Sequence, residues 1–420
     1  MFNIDEKVSA LCREAEKSVR PQFERIDEIC KSNTMKVHRA FYNNRISEAH
    51  FSGTTGYGYS DRGRDDLDRV YADAFECEDA LVRHSIVSGT HALCIALFGL
   101  LRPGKTLLSV TGKPYDTLDE IIGIAGKKGQ GSLTDFGVKY RQVELKDGRI
   151  DTDAAIAAMD DTVSVVFIQR SKGYASDRRT LSSREIGEAA KAIKAKYPGT
   201  AVLVDNCYGE FVEEHEPVYY GADVIVGSLI KNPGGSIARG GGYMAGRADL
   251  IELISYRLTS PGIGREVGAT LGQNLDMYRG FYMAPHITAQ ALKTSVFCAE
   301  VYRRLGFKVS PEPEETRSDI ILTVTLGSDS LLRAFCQGIQ MGAPVDSYVT
   351  PEPWDMPGYQ DKVIMAAGAF VQGASIELSA DGPMREPYIA YVQGGITWES
   401  GYLGVMLSVQ KLLSEGLIKI

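Results

Sequence analysis

Between about residues 65 and 250 the chain repeats one pattern, a strand-length apolar run followed by a stretch of helical period, and this limits its fold more than any other feature. Runs at 107–110, 163–168, 201–204, 223–226 and 242–245 have the length of strands. The 163–168 run, Val-Ser-Val-Val-Phe-Ile, is almost wholly apolar, as expected of a strand buried on both faces. Helical spacing marks 65–77, 91–101, 116–126 and 183–196, the last stopping before Pro198-Gly199. Such alternation predicts an α/β fold with a mostly parallel sheet and helices on both faces.

The flanks differ. Val8, Leu11, Ala15, Val19, Phe23, Ile26 and Ile29 recur at helical spacing over 5–31, with Pro21 as a point of break or kink. A long helix is expected from Pro285 to about 305. Beyond it, strands at 320–325, 363–366, 375–378 and 387–392 and helices at 329–340 and 401–415 interleave less regularly. The expected division is a helical arm over 1–50, a large domain over 51–290, and a smaller C-terminal α+β domain over 291–420.

Composition narrows the class. With 44% apolar residues the 420-residue chain can bury a sizeable core and is no disordered tail. Its net charge of −8 gives no general pull toward nucleic acid or anionic lipid. The longest apolar run, Ala92 to Leu101, stops at ten residues, against about 20 for a membrane span. The N-terminus lacks an apolar signal core, so a cytoplasmic protein is expected. Seven scattered cysteines without a C-x-x-C pair argue against a disulfide framework, and neither they nor the histidines have metal-site spacing. Glu213-Glu214-His215-Glu216 reads as a solvated loop, and Pro351-Glu352-Pro353-Trp354 as a rigid surface loop.

Three segments carry chemistry. In Ser228-Leu229-Ile230-Lys231-Asn232-Pro233-Gly234-Gly235 a lysine closely follows an apolar strand and opens a glycine-rich loop, where open α/β sheets bind ligands. Partial desolvation is expected to lower its pKa and supply a neutral amine for attack on a carbonyl. In Val202-Leu203-Val204-Asp205-Asn206 an aspartate ends a strand and points into the same crevice. It suits either a helix N-cap or the cationic partner a buried carboxylate needs, such as a protonated pyridine nitrogen. Ser88-Gly89-Thr90 precedes an apolar helix and offers either an ordinary cap or an anion site at the helix N-terminus. Lys231, Asp205 and this cup are together what pyridoxal phosphate needs: partners for an aldehyde, a ring nitrogen and a phosphate. Gln169 and Arg170 end the 163–168 strand and are expected to face the cofactor.

On these residues the sequence resembles fold-type I pyridoxal-phosphate enzymes of the cystathionine/methionine lyase type, and more closely the methionine gamma-lyase-like or aluminium resistance family. Further matching segments are Gly56-Tyr57-Gly58-Tyr59 with Gly63-Arg64-Asp65, Leu81-Val82-Arg83, Gln169 to Tyr174, and Tyr391-Val392-Gln393-Gly394-Gly395. The resemblance spans nearly the whole chain. It implies an aspartate aminotransferase-like large domain, with Lys231 holding the cofactor and moving the substrate's α-proton. It further implies Asp205 at the ring nitrogen, and Gly89 and Thr90, beside Ser88, with Ser228 at the phosphate. Tyr115 would stack on the ring, with His91 as the rival. Tyr57 and Tyr59 would reach the phosphate from a neighbouring subunit, making a homodimer or homotetramer with a shared site. The arginine that accompanies such tyrosines arrives late here, at Arg62 or Arg64. Arg385, or else Arg317, is the candidate for the substrate carboxylate, and Gln169 stands where the lyases have an acidic residue. The expected activity is carbon–sulfur elimination on a sulfur amino acid, of methionine gamma-lyase or cystathionine beta-lyase type. The rivals are an aminotransferase or other amino-acid enzyme on the same cofactor, and a non-enzymatic protein that sequesters cofactor or metal.

Overall fold

The computed structural model describes residues 3–173, 178–356 and 361–420; Tyr174 lies outside them. Strands β1 (Asp79–Arg83), β2 (Thr106–Ser109), β3 (Lys139–Gln142), β4 (Val163–Gln169), β5 (Ala201–Asp205), β6 (Val224–Ser228) and β7 (Gly242–Gly246) form one sheet, ordered β1-β7-β6-β5-β4-β2-β3. β2 to β6 run parallel, and β7 pairs antiparallel with both β6 and β1 at one edge. Alternation along β4 shows why the sheet is covered twice. Val165 and Phe167 pack with Leu203, Val226 and the Gly89–Leu100 helix; Val166 and Ile168 pack on the other side with Val202, Val204 and Tyr243. Each such fully buried side chain contributes about 1.5–3 kcal/mol.

A second sheet is wholly antiparallel: β8 (Lys308–Ser310), β9 (Leu322–Thr325), β10 (Val363–Ala366), β11 (Ser379–Pro383) and β12 (Ile389–Gln393), ordered β10-β11-β12-β9-β8. Leu322, Val324, Ala380, Ala390 and Val392 pack on helices Asp329–Met341 and Trp398–Ser414. Ser379, Asp381, Tyr391 and Gln393 lie on the opposite face and border a cavity against the large sheet. The period of two thus sorts a dry face from a polar one.

Several expectations are corrected. The N-terminal segment is two helices, Glu6–Ser18 and Arg20–Asn43, because Pro21 sits in the first turn of the second, where its missing N–H costs nothing. The long helix begins at Asn274, not Pro285, and runs to Arg304. Pro285 removes one rung inside it, but burial of Tyr278, Phe281 and Ala284 before the proline and Leu292 and Val296 after it carries the helix through. Because its first half packs with the large sheet and its second with the small one, the expected division near 290 falls within one continuous helix. The 116–126 helix shrinks to a single 3-10 turn and Asp119–Ile122, ended by Gly123 at φ 94°. The strand expected at 375–378 is a turn, since Glu377 accepts from the backbone N–H groups of Phe370 and Val371 at 2.7 and 2.9 Å; the strand begins at Ser379.

Candidate active site

The cavity of about 180 Å³ lies between the carboxyl ends of the parallel strands and the polar face of the small sheet. Asp205 and Gln169 end β5 and β4 side by side, and Ser228 ends β6. Asp205 is only 8% exposed. One carboxylate oxygen accepts the Cys207 N–H at 3.1 Å, and the carboxylate lies in the field of Lys231 and Arg178. Burial raises the Asp205 pKa against these partners, so the site favours a cation beside it.

Lys231 caps a short turn three residues past β6 and lays its Nζ 3.7 Å from the centroid of the Tyr208 ring. Its protonation corrects the sequence expectation. Burial pulls the ammonium down, but Tyr208, Cys207 and Asp205 outweigh it and hold its pKa above the ordinary lysine value. Tyr208 contributes most to this, followed by Cys207 and Asp205, and without another cation in the site Lys231 is also the partner the buried Asp205 carboxylate requires.

The Gly89–Leu100 helix points its N-terminus at the end of β6. Ser88 caps it by accepting the His91 N–H at 3.1 Å. A Cβ on Gly89 would stand 3.3 Å from Cys207 Sγ and 3.4 Å from Ser228 Cβ, so glycine keeps this cup open. Ser228 Oγ is fully buried at its edge and has no hydrogen-bond partner among the described residues. The Thr90 hydroxyl meets that of Thr117 at 2.9 Å. Tyr115 borders the cavity next to Gly173, whose Cβ, if present, would lie 3.3 Å from the tyrosine ring. A buried carboxylate facing a lysine, an orphaned hydroxyl at an open helix N-terminus and a ring on the cavity wall fit the ring nitrogen, aldehyde, phosphate and face of pyridoxal phosphate.

Other expected residues lie elsewhere. Arg170 turns away from the cavity and is fully buried, with Nη1 donating to Asn206 Oδ1 at 2.7 Å and Nη2 to Glu213 Oε1 at 2.7 Å; Glu216 lies 3.2 Å away. The 213–216 stretch is therefore no solvated loop: two of its carboxylates neutralise a buried guanidinium, and His215 pairs with Glu76. Gln169 Nε2 donates to the Ser171 carbonyl at 3.0 Å, and its buried Oε1 has no partner among the described residues. Arg385 is exposed on Asp361 at 3.0 Å, away from the cavity lining. Arg317 donates to the backbone carbonyls of Pro311, Glu312 and Glu315, and burial lowers its pKa to about 10. Tyr57 and Tyr59 are 73% and 64% exposed, stacked 5.4 Å apart, and do not line this chain's own cavity. Arg64 is consumed in holding their loop, donating to the carbonyls of Gly58 and Gly268 at 2.8 and 3.0 Å.

Sequence reasoning missed Tyr208, Arg178 and Asp381. Tyr208 had a signal, standing three residues after Asp205 in the loop that leaves a strand's carboxyl end. Arg178 is buried at the end of β4, donating to the Gln169 carbonyl, and lies in the field of Asp205. Asp381 had none, because Ser-Ala-Asp-Gly-Pro does not read as a strand.

The profile of the methionine gamma-lyase family matches residues 8–413. The chain belongs to this family. Membership brings the enzyme class and the cofactor with it: a lyase dependent on pyridoxal phosphate. An uncharacterised Bacillus subtilis protein, YnbB, is 51% identical over 406 residues, covering 96% of both chains. The crystal structure of a carbon-sulfur lyase involved in aluminium resistance from Clostridium novyi superposes with a TM-score of 0.94 at 49% identity, covering 97% of this chain and 96% of that one. The pyridoxal-5'-phosphate-dependent protein YhfS of Escherichia coli superposes at 0.61 with 19% identity, covering 93% and 97%; the large domain has the fold-type I architecture of such enzymes.

Proposed function

We propose that the protein cleaves the carbon–sulfur bond of an amino-acid thioether whose leaving half is polar, as in L-cystathionine, in preference to L-methionine. The observation that carries this is the cavity wall. Ser375, Ser379, Asp381 and Gln393 form a polar strip in a wall whose remainder includes Ile321, Met365, Ala367, Ala369, Ala374 and Leu378, with no lysine or arginine among the described lining residues. Ser379 Oγ and Gln393 Oε1 are buried with no hydrogen-bond partner among the described residues, and a methyl thioether would leave them so, at a cost of about 1–3 kcal/mol for each. A leaving half bearing an ammonium and other polar atoms would satisfy them.

The cofactor, when bound, accepts the electron pair left on the substrate's α-carbon. The chain's own residues do the rest. Lys231 would hold the cofactor through Nζ and would serve as the base for the substrate's α-proton. Asp205 lies beside the Lys231 ammonium in the protein as it stands and would pair with the ring nitrogen when the cofactor is bound, which would free the lysine as an amine. Gly89 and Thr90 present backbone N–H groups, and Ser228 its hydroxyl, to the phosphate. Tyr115 covers the ring. We assign the substrate carboxylate to Arg178, which lies at the end of β4 on the Gln169 carbonyl and in the field of Asp205, whereas Arg385 is exposed on Asp361. The exposed Tyr57–Tyr59 pair supports a dimer in which a second copy covers it and receives its hydroxyls at the phosphate.

Purified protein tested with L-cystathionine and with L-methionine decides the substrate. Thiol and keto acid are expected from the first at a kcat/KM at least tenfold higher. Equal or reversed preference would overturn the polar-wall argument, and no thiol from either would overturn the lyase reading.

A further inference from the structure

Among the described residues that line the cavity, Asp381 is the one with a formal charge, and it is only 7% exposed. Across the strands it stands opposite Met365 on one side and Tyr391 on the other. Ser379 lies two residues back along β11, directly opposite Gln393 of β12. All five border the cavity. Ser379 Oγ and Gln393 Oε1 are buried with no hydrogen-bond partner among the described residues. A carboxylate, an amide oxygen and a hydroxyl oxygen thus share one face of the small sheet, each able to accept. This group stands apart from the reacting nitrogen. The Tyr208 ring lies 3.7 Å from Lys231 Nζ and packs on the cluster that contains Tyr391, and Tyr391 is the cross-strand neighbour of Asp381. A substrate that reacts at Lys231 would therefore run its distal arm past two rings toward Asp381.

We propose that Asp381, with Ser379 and Gln393, binds an ammonium at the distal end of the substrate, so that Asp381 sets the specificity and thioethers ending in an amine are the substrate class. The proposal rests on the carbon–sulfur lyase reading above and narrows it: the distal positive charge is read, and polarity alone is not enough. A carboxylate taken out of water favours a cation beside it. An alkylammonium has three N–H donors and no acceptor, which matches three acceptors and nothing else on this face. The Tyr391 ring next to Asp381 adds the attraction of an aromatic face for a cation. A methyl end would offer none of the three acceptors a donor. A carboxylate end would set like charges against each other. No bond forms or breaks at Asp381; its effect is on which substrate is held.

Two matched pairs of compounds test this on protein loaded with pyridoxal phosphate. S-(2-aminoethyl)-L-cysteine and S-propyl-L-cysteine differ only in an ammonium against a methyl end, and both can lose a thiol. L-Lysine and L-2-aminoheptanoate differ in the same way and have no sulfur to lose, so their binding is read from the change in the visible band. In the parent protein the ammonium member of each pair should be favoured about 10- to 100-fold, the range for a hydrogen bond to a charged group. For the thioethers the preference should lie in KM more than in kcat, because the distal contact is made before and during reaction alike. S-(2-carboxyethyl)-L-cysteine should be poorer than both. Asp381→Asn, matched to the parent by cofactor absorbance, should bring each pair within about threefold of equality, whereas a merely structural loss would lower both members alike. Ser379→Ala, which removes one acceptor and keeps the carboxylate, should reduce the preference by a smaller factor. Equal binding of L-lysine and L-2-aminoheptanoate by the parent needs no variant and would overturn the proposal, as would a preference that survives Asp381→Asn. Thiol release with no preference for the ammonium would sink the proposal alone; an L-lysine preference with no thiol from any thioether would sink the lyase reading and leave the ammonium site standing.

Discussion

Replacing Asp205 by asparagine should weaken cofactor binding by roughly 30- to 150-fold, and the size follows from what Asp205 does in both states. Asparagine keeps an acceptor for the Cys207 N–H and nearly the same volume, so the loss is that of the charge. Removing one partner of a buried ion pair costs about 3–5 kcal/mol when the other must stay charged. The free protein suffers too, because its Lys231 ammonium loses the same carboxylate. Lysine can escape by releasing its proton, so the free state is harmed less than the loaded one. The difference, about 2–3 kcal/mol, gives the stated factor at about 1.4 kcal/mol per tenfold. Titration of cofactor-free protein with pyridoxal phosphate, followed by visible absorbance, measures it. A second readout tests the cation exchange itself. Without the carboxylate the Lys231 pKa falls, more of it is neutral at pH 7, and an amine-directed reagent should label it faster in Asp205→Asn than in the parent. Unchanged affinity, or slower labelling, would refute the argument.

Two further outcomes follow from buried groups. Ser228→Ala should leave the cofactor-free protein as stable as the parent or slightly more so, because it removes an orphaned buried hydroxyl, yet weaken cofactor binding by about 10- to 100-fold, the range for a hydrogen bond to a charged group; parallel melting curves and absorbance titrations check both signs. Burial, with Glu216 beside it, raises Glu210 from 4.5 to about 8. Its contribution to stability is fully present below 4.5 and is lost as pH rises through 8, so the folded protein should weaken across that window by at most ~1.4 kcal/mol per pH unit. Glu210→Gln, which keeps the Tyr243 hydrogen bond, should flatten that slope in denaturant unfolding at pH 5 and pH 8; an unaltered slope would count against a neutral Glu210.

What could be read in advance depended on how each segment is buried. β4 and β5 are covered on both faces, so their apolar runs are nearly continuous and the acid and amide that end them stand out. β3, Lys-Tyr-Arg-Gln, is an edge strand with little burial and looks like a loop. β11 holds Asp381 in a stretch of small and polar residues, while the neighbouring Ile376-Glu377-Leu378 looks like a strand and is a turn, because the Glu377 side chain replaces the ladder partner. Lys231, Asp205 and the Ser88–Thr90 segment were legible because each stands at a strand or helix end, where the type of residue alone implies its chemistry. Arg170 was misread for a related reason: its position at the end of β4 is right for a ligand, but Glu213 and Glu216, over forty residues away in sequence, draw it to the other side of the sheet. Arg385 was chosen by its place in the small domain, and only the packing shows it lying on Asp361.

The most direct test of the account is the visible spectrum of the purified protein beside that of Lys231→Ala, each recorded before and after L-cystathionine. The parent should be yellow, should keep its cofactor covalently after borohydride reduction, and should change its band on adding the amino acid while releasing thiol. Lys231→Ala should fold, should take up pyridoxal phosphate only by the phosphate cup and Asp205, and should retain none after reduction and denaturation. A borohydride-fixed cofactor in Lys231→Ala, or a parent protein that takes up no pyridoxal phosphate at all, would contradict it.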